Sequence, residues 1–441
     1  MASWRNWAGD QTCEPAVIER PGSVGEIAQA LERAAAAGRR VRVAGSGHSF
    51  TDAACSDGTL LSLERMNRVL DVDRGSGRVR VEAGIALHAL NDQLAAHGLA
   101  FENLGDIDAQ TIAGAISTAT HGTGARLRNI SAQVESLELV LADGSTLTCG
   151  AHDEHPDTYL AARVGVGSLG AIAAVTLRCV PAFTLRGVDR PAPLEETLER
   201  LDELGDASDH FELYVFPHAR TALTRTNTRV EEAPRPRSRA AAYAQDVLLT
   251  NHAFHAFCLL GRAVPRAIPR INRLVTRLAG TSVRVDRSDR IFASPRLVRF
   301  TEMEYAIPRE RTAEAVRRVL AVVPQRGFRV PFPIEVRLVA PDDAFLSPAH
   351  ERPTGYVAVH MFRGMEWEPY FRAVEQIMDG YGGRPHWGKR HFQTAGTLRP
   401  RYPRWDDFQA VRARLDPDGR FANAYADRVL GPVGAGAPVA G

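Results

Sequence analysis

The chain has 441 residues, of which 44% are hydrophobic and 24% charged, and its formal net charge is +2. This length predicts two domains, and the composition is typical of a soluble globular protein. The near-neutral charge argues against nucleic-acid binding. The absence of a run of about eighteen apolar residues argues against a membrane span, and the polar start MASWRNWAGDQ does not resemble a secretory signal.

The first part of the chain alternates helix and strand signals. Ser23 and Glu26 have the spacing of a capping box, which predicts a helix that ends at Gly38. The next segment, VRVAGSGHSF (residues 41–50), predicts a strand that ends in a glycine turn with His48 at its tip. Such a turn brings backbone N–H groups against a pyrophosphate. Phe50 stands where a Rossmann fingerprint needs its third glycine, and no Walker lysine follows, so an ordinary tight turn remains the alternative.

The segments that follow continue this alternating pattern up to about residue 180. Residues 103–124 (NLGDIDAQTIAGAISTATHGTG) are rich in small residues, which let the backbone approach a large flat ligand. The other predicted elements before residue 150 are a strand over Arg78 to Gly84, a helix over Ala86 to His97 and a hairpin over Ser136 to Cys149, whose turn is Asp143-Gly144. After them, the glycine-rich segment Val164 to Ala173 leads into a predicted strand over Ala174 to Leu177.

The second half predicts another α+β unit. Residues 234–239 (PRPRSR) predict a loop, and the arginine-dense stretch from Arg262 to Arg299 favours a solvated face with anion contacts. Strands are predicted over Glu302 to Ala306 and Tyr356 to Phe362, with a helix over Arg311 to Leu320 between them. The five cysteines are scattered and contain no CxxC pair, which predicts reduced thiols in a cytoplasmic protein.

The order of these motifs resembles flavoproteins of the vanillyl-alcohol-oxidase type, which have the p-cresol-methylhydroxylase FAD fold. Three later segments narrow the resemblance to the aldonolactone oxidoreductases: RFTEMEYAIPRE (299–310), PIEVRL (333–338) and RPHWGKRH (384–391). The resemblance runs from NWAG (6–9) to residues 403–423 (PRWDDFQAVRARLDPDGRFAN). It implies an α+β protein with an FAD-binding domain over 1–180, a substrate cap over 181–395 and a C-terminal segment, 396–441, that returns to the FAD domain.

The resemblance also implies which residues hold the cofactor. A histidine at the position of His48 is joined covalently to the flavin 8α-methyl group in relatives, which predicts covalent FAD here. The remaining FAD contacts implied by the resemblance are Val43, Ala44, Gly45, Ser46, Gly47, Ser49, Thr111, Gly114, Ala115, Ile116, Ser117, His121, Gly122 and Ile172. A glycine at the position of Gly105 implies an open path for O2 to the flavin.

Glu335 and Arg337 are two residues apart in a predicted strand, so their side chains share one face. Taken alone, this spacing is typical of a structural ion pair. The resemblance implies instead that they contact the substrate hydroxyls, where a carboxylate can accept a proton and a guanidinium can stabilise an alkoxide. It also places the Lys389 cation near the negative charge of reduced flavin.

Three other positions complete the predicted site. Asp106 replaces the serine of alditol-oxidising relatives, which favours a lactone substrate. His360 is either a polar substrate contact or a structural histidine. His386 and His391 do not share a helical face and no third ligand is evident, so no metal is predicted.

Together these features predict FAD-dependent oxidation of a sugar 1,4-lactone, L-gulono-1,4-lactone first, at its C2 hydroxyl. The hydride goes to flavin N5, the 2-keto lactone enolises to ascorbate or a homologue, and O2 or another acceptor reoxidises the flavin. One alternative is an alditol oxidase that acts on xylitol or sorbitol. The other is a non-catalytic nucleotide-binding protein, which would have no need of Glu335, Arg337 and Lys389 together.

Overall fold

The computed structural model describes residues 3–434. The chain begins with a small parallel sheet whose strands lie in the order Val17–Glu19, Thr59–Ser62, Val41–Ala44. The helix Val24–Ala36 follows the first strand, and the Ser23 hydroxyl caps it by accepting a hydrogen bond from the Glu26 N–H at 3.2 Å. Its buried residues recur every three or four positions, so one apolar stripe faces the core: Ile27, Ala30, Leu31 and Ala34.

The second sheet is antiparallel and has five strands. Their order is Thr146–Gly150, Val134–Val140, Ala171–Arg178, Arg78–Glu82, Val69–Asp73. The predicted hairpin is present: Gly144 in its turn has φ +83°, a conformation that favours glycine. This sheet and the parallel sheet enclose the first hydrophobic core.

The third sheet is antiparallel, has eight strands and forms the cap. Their order is Ser282–Arg287, Thr184–Pro193, Thr221–Val230, His210–Val215, Ile334–Val339, Thr354–Phe362, Phe300–Pro308, Arg384–Pro385. One face is apolar and packs in a second core with the helices Thr312–Gln325 and Glu368–Asp379. The other face carries charged residues that reach the first half of the chain.

The remaining elements connect these layers. The helices are Leu87–Ala96, Ile112–Ser117, Pro156–Ala162, Leu194–Glu199, Leu201–Asp206, Arg239–Ala242, the π-helix Tyr243–Ala253, Phe254–Ala263, Ile268–Leu278, Ser288–Phe292, Ala395–Leu398, Trp405–Leu415 and Ala424–Leu430. The 3₁₀ turns are Asp52–Ala54, Ile130–Gln133, Pro265–Ala267, Arg309–Arg311 and Arg399–Arg401, and two short strand pairs join Trp4–Arg5 to Thr12–Cys13 and Leu99–Ala100 to Val180–Pro181.

The C-terminal helices pack into the first core, to which they contribute Phe408 and Tyr425, and Phe421 joins it from the turn between them. The first core also takes in residues of the predicted cap, such as Leu185, Phe345 and Trp387, and the domain boundaries remain a prediction. The ends of the predicted first and last segments, residues 1–2 and 435–441, lie outside the described residues.

The predicted α+β class is confirmed, and most predicted elements occur with small boundary shifts. The helix predicted over Arg311 to Leu320 begins after a 3₁₀ turn and continues to Gln325. Residues 234–238 are irregular, as predicted for that loop, and all five cysteines are free. Among residues 3–434 no single helix is long and apolar enough to cross a membrane, although the pair Ala240–Ala263 and Pro265–Leu278, bent by 119°, reaches that length and apolarity together.

Candidate active site

The glycine turn after the strand Val41–Ala44 packs tightly against the start of a short helix. A Cβ on Gly45 would lie 2.3 Å from Thr111 Oγ1, so only glycine permits this approach. Thr111 caps the helix Ile112–Ser117 by accepting a hydrogen bond from the Gly114 N–H at 3.3 Å. Gly47 has φ +70°, which favours glycine for a different reason. The turn is therefore fixed by two separate backbone requirements.

A cavity of about 600 Å³ surrounds this turn. Its walls are mainly backbone and small side chains, which leave N–H and hydroxyl groups free for a polar ligand. Most of the predicted FAD contacts line it: Val43, Ala44, Gly45, Ser46, Gly47, His48, Ser49, Thr111, Gly114, Ser117 and Ile172. A cavity of this size and lining fits FAD, and the backbone N–H groups of the glycine turn would hold its pyrophosphate.

Four predicted cofactor residues lie elsewhere. Ala115 and Ile116 are fully buried in the first core and do not line the cavity, because they occupy the inner side of their helix. His121 lines a second, narrower cavity next to this one, and Gly122 lines a small cavity beside Leu104. A role for these four residues in FAD binding remains a prediction.

The buried Arg42 fixes the back of the cofactor cavity, a residue that sequence reasoning missed. Its guanidinium donates to the backbone carbonyls of Ala53, Val166, Gly167 and Phe421 at 2.7–3.0 Å. Burial lowers the pKa of Arg42 to about 10, so it remains charged at neutral pH. Arg42 thereby ties together three distant segments around the cavity.

His48 lies where the cofactor cavity meets a narrower one of about 40 Å³. The Trp7 ring stacks on its imidazole with centroids 5.5 Å apart. Burial, followed by the charges of Arg299 and Lys389, lowers the pKa of His48 to about 4. Its imidazole is therefore neutral near pH 7 and keeps a nitrogen lone pair.

The narrow cavity is polar and is closed by charged residues of the cap. Its lining includes Gly105, Asp106, Gln110, His121, Glu304, Arg337, His386 and Lys389. Of the predicted catalytic residues, Arg337 and Lys389 line it directly. Glu335 and His360 lie beside them, within 4.0 Å of each other, but do not line it.

The central cap strand Ile334–Val339 presents Glu335 and Arg337 on one face, as predicted, while Ile334 and Val336 pack in the second core. The two charged side chains form a buried ion pair. Burial raises the pKa of Glu335 to about 7, because the neighbouring Arg337 only partly offsets the loss of hydration. Glu335 is therefore close to half-ionised at neutral pH.

Arg337 has two further acidic partners, which explains why it does not fully stabilise the Glu335 carboxylate. Its Nε lies 3.0 Å from Glu212 Oε2, and its Nη2 lies 3.4 Å from Asp106 Oδ1. Asp106 forms a second ion pair with Arg296. Burial opposes ionisation of Asp106, but Arg296 and Arg337 hold its pKa well below the usual range. The predicted substrate contact Asp106 is thus clamped between two guanidinium groups.

A second charged group combines Glu302 and His360, on the next two strands of the cap sheet, with Lys389 from a loop. Lys389 pairs with Glu302, and His360 Nε2 lies 3.5 Å from the same carboxylate. Burial opposes the charge on each of these cations, but Glu302 raises the pKa of both above the ordinary value. His360 Nδ1 lies 3.1 Å from the Pro333 carbonyl, which orients the ring.

His121, Glu304 and His386 are buried, and their possible ligand atoms all lie within 4.8 Å of one another, a spacing that could hold a metal ion. The sequence had suggested only the pair of His386 and His391, but His391 lies instead 3.1 Å from the Tyr425 hydroxyl. Glu304 is 3.4 Å from His121, and burial lowers the pKa of His386 to about 3. The prediction that the protein binds no metal remains a prediction.

Several residues of the charged face were missed from the sequence. They are Glu212, Tyr214, Arg296, Glu302 and Glu304. Four of them are polar residues that alternate with apolar ones inside strands of the cap sheet. The signal was therefore present, since a polar residue on a buried strand face needs a partner.

Two family models and several relatives match this sequence, and together the matches cover nearly the whole chain. Residues 175–429 match the family D-arabinono-1,4-lactone oxidase, and residues 15–150 match an FAD binding domain. The chain is 53% identical to an L-gulono-1,4-lactone dehydrogenase of Mycobacterium tuberculosis over 97% of this chain and 99% of the relative. It is 35% identical to an L-gulonolactone oxidase of Mus musculus, over 97% and 98%.

More distant proteins share the architecture. An alditol oxidase of a Streptomyces species is 30% identical over 95% of this chain and 97% of the relative. The crystal structure of a cholesterol oxidase from B. sterolicum matches with a TM-score of 0.83 at 16% identity, over 97% of this chain and 96% of that chain. The structural match confirms the predicted p-cresol-methylhydroxylase-type fold.

Proposed function

The chain belongs to the FAD-dependent aldonolactone oxidoreductases, and we propose that it oxidises L-gulono-1,4-lactone at the C2 hydroxyl. The observation that carries the proposal is the buried Glu335–Arg337 pair beside a polar cavity that adjoins the FAD cavity. The choice of lactone is supported by the 53% identity to a relative named for L-gulono-1,4-lactone.

The proposed reaction removes a hydride from carbon and a proton from oxygen. Bound FAD supplies the hydride acceptor at N5. Glu335 accepts the hydroxyl proton, a role for which a pKa of about 7 is well matched. Arg337, held by three carboxylates, stabilises the developing alkoxide, and Lys389 stabilises negative charge on the reduced cofactor. The 2-keto lactone then enolises to ascorbate or a homologue.

We propose that the FAD is covalently attached through His48. The neutral imidazole at the junction of the two cavities supports this assignment. Acid precipitation should leave the yellow colour in the protein pellet, whereas His48→Ala should release all flavin to the supernatant and slow turnover. Flavin found entirely in the wild-type supernatant would show that the linkage is absent.

We propose that O2 reoxidises the flavin and yields hydrogen peroxide. Gly105 lines the narrow cavity and adds no methyl group to it. The names of the relatives include both oxidases and a dehydrogenase, so the acceptor has to be measured. A dehydrogenase would reduce cytochrome c or a dye rapidly and react with O2 only over minutes.

The substrate is tested by recording oxygen uptake and dye reduction with a panel of L-gulono-, L-galactono- and D-arabinono-1,4-lactones, xylitol and sorbitol. L-gulono-1,4-lactone should give the highest kcat/KM. Turnover of the polyols alone would make the protein an alditol oxidase, and no bleaching with any compound would favour a non-catalytic binding protein.

A further inference from the structure

The hydroxyl of Tyr214 lies between two buried carboxylates. It is 3.1 Å from Glu212 Oε1 and 3.3 Å from Glu335 Oε1. The strand His210–Val215 pairs antiparallel with Ile334–Val339, so that Tyr214 is opposite Glu335 and Glu212 is opposite Arg337. Strand register therefore brings all four side chains to one face.

A phenol has one proton to donate, and here two acidic groups compete for it. When both carboxylates are ionised, one of them receives no hydrogen bond from Tyr214. When one is protonated, its O–H donates to the Tyr214 oxygen while the phenol donates to the other carboxylate. Tyr214 therefore hydrogen-bonds to Glu335 and Glu212 at the same time only when the three groups together hold one extra proton.

Polar side chains continue from Glu212 towards the sheet edge. Arg225 Nη1 lies 3.2 Å from Glu212 Oε1, and Arg225 Nε donates to Asp189 Oδ1 at 2.6 Å. The exposed fraction of the side chains rises along this path, from 7% for Glu212 to 20% for Arg225 and 35% for Asp189. Charged neighbours therefore connect Glu212 to the partly exposed edge of the sheet.

Resting on the function proposed above, we propose that Tyr214 relays to Glu212 the proton that Glu335 takes from the substrate hydroxyl. The substrate O–H bond breaks and a Glu335 O–H bond forms, while the C–H electron pair leaves as hydride to the flavin oxidant. The Glu335 proton then moves to the Tyr214 oxygen as the original phenol proton moves to Glu212. Glu335 is ionised again, Tyr214 is unchanged, and Glu212 releases the proton to solvent before the next turnover.

The groups around Glu335 hinder the release of its proton, so a route for that proton through Tyr214 would restore the Glu335 carboxylate. The charged or titratable groups that face it come from three strands and two loops. Arg337 is on its own strand, Glu212 and Tyr214 are on one neighbouring strand and His360 is on the other, while Asp106 and Arg296 come from the loops. Burial and the acids Asp106 and Glu212 raise the pKa of Glu335, so it releases a proton less readily than an ordinary carboxyl group does. Tyr214 and Glu212 are positioning residues that act through Glu335.

The test compares Tyr214→Phe with a matched control, Tyr159→Phe. Both remove one phenol, but the Tyr159 hydroxyl donates to the Val134 carbonyl at 2.6 Å in the first core. Tyr214→Phe should slow flavin reduction about tenfold and move the acidic limb of its pH profile up by about one unit, because the Glu335 carboxylate loses a hydrogen bond. The dependence of the steady-state turnover rate on the D2O fraction should change from curved to linear, because the relay transfers no longer take place within the cycle.

A second readout needs no turnover. Infrared spectra of resting holoenzyme across pH should show a protonated carboxyl group that titrates near pH 7. In Tyr214→Phe its frequency and titration should shift, whereas Tyr159→Phe should match the wild type.

A slower Tyr214→Phe enzyme with unchanged pH profile, D2O dependence and infrared titration would overturn the relay. If no lactone or polyol reduces the wild-type flavin, the proposed function fails. In that case, infrared spectra of Tyr214→Phe that match the wild type would still show that Tyr214 shares no proton with Glu335.

Discussion

The cofactor cavity and the charged face of the cap are built from different kinds of groups. The walls of the cofactor cavity are mainly backbone and small side chains. Its glycine turn can pack against Thr111 because Gly45 has no Cβ. The charged face depends on side chains such as Glu335 and Arg337, which lie on one cap strand, and Asp106, which comes from a distant loop. The first region should therefore respond to added volume, and the second to altered charge.

The largest expected effect is on the charged face. Glu335→Gln, Arg337→Ala and Lys389→Ala should each slow flavin reduction by about two to four orders of magnitude, because each removes a proton acceptor or a preorganised charge. Flavin content should stay nearly unchanged, since none of the three residues lines the main cofactor cavity. A near-normal rate in any variant would remove that residue from the mechanism.

A substitution in the cofactor cavity should lower the flavin content of the protein. Gly45→Ala puts a Cβ 2.3 Å from Thr111 Oγ1, and overpacking of this kind should lower the FAD occupancy of purified protein about tenfold. Gly25→Ala is the matched control, because a Cβ there meets nothing within 4 Å. Full occupancy in Gly45→Ala would show that the turn can move without loss of FAD.

Gly105 tests the boundary between the two regions, because it belongs to the small-residue segment but lines the charged cavity. A Cβ on Gly105 would lie 3.2 Å from the His121 carbonyl oxygen, so a small shift accommodates alanine. Gly105→Ala should slow reoxidation by O2 while reduction by lactone stays largely intact, as measured by stopped-flow mixing of reduced enzyme with oxygenated buffer. Equal slowing of both half-reactions would indicate general distortion instead.

The smallest expected effect concerns stability. The pKa of Glu335 is raised by burial to about 7, from an ordinary value near 4.5. Its ionisation therefore costs stability progressively as pH rises from about 4.5 to 7, and the cost is fully present above pH 7. Glu335→Gln should melt about 2 °C higher than wild type at pH 8, with the difference vanishing below pH 4.5. A constant difference across pH would mean that Glu335 ionises as freely in the folded state as in the unfolded one.

The same contrast explains how far the sequence could predict the site. The strand and glycine turn around His48 lie in one contiguous segment, so this part of the cofactor cavity could be predicted locally. Glu335 and Arg337 could be placed on one face by their spacing. Glu212 and Tyr214 could not, because their contacts depend on pairing between strands that lie 121 to 125 residues apart.

Asp106 shows a different limit. It was predicted as a substrate contact, and the structure clamps its carboxylate between Arg296 and Arg337. No local pattern identifies Arg296 as the partner, since it lies 190 residues further along the chain in an irregular segment.

The central claim is that Glu335 and Arg337 assist the oxidation of a sugar lactone by the flavin, and anaerobic mixing tests it most directly. Wild-type holoenzyme and Glu335→Gln, matched for FAD content, are mixed with L-gulono-1,4-lactone while the flavin absorbance is recorded. The wild type should bleach rapidly and Glu335→Gln should remain yellow on the same timescale. Equal bleaching of both proteins, or no bleaching of the wild type, would contradict the claim.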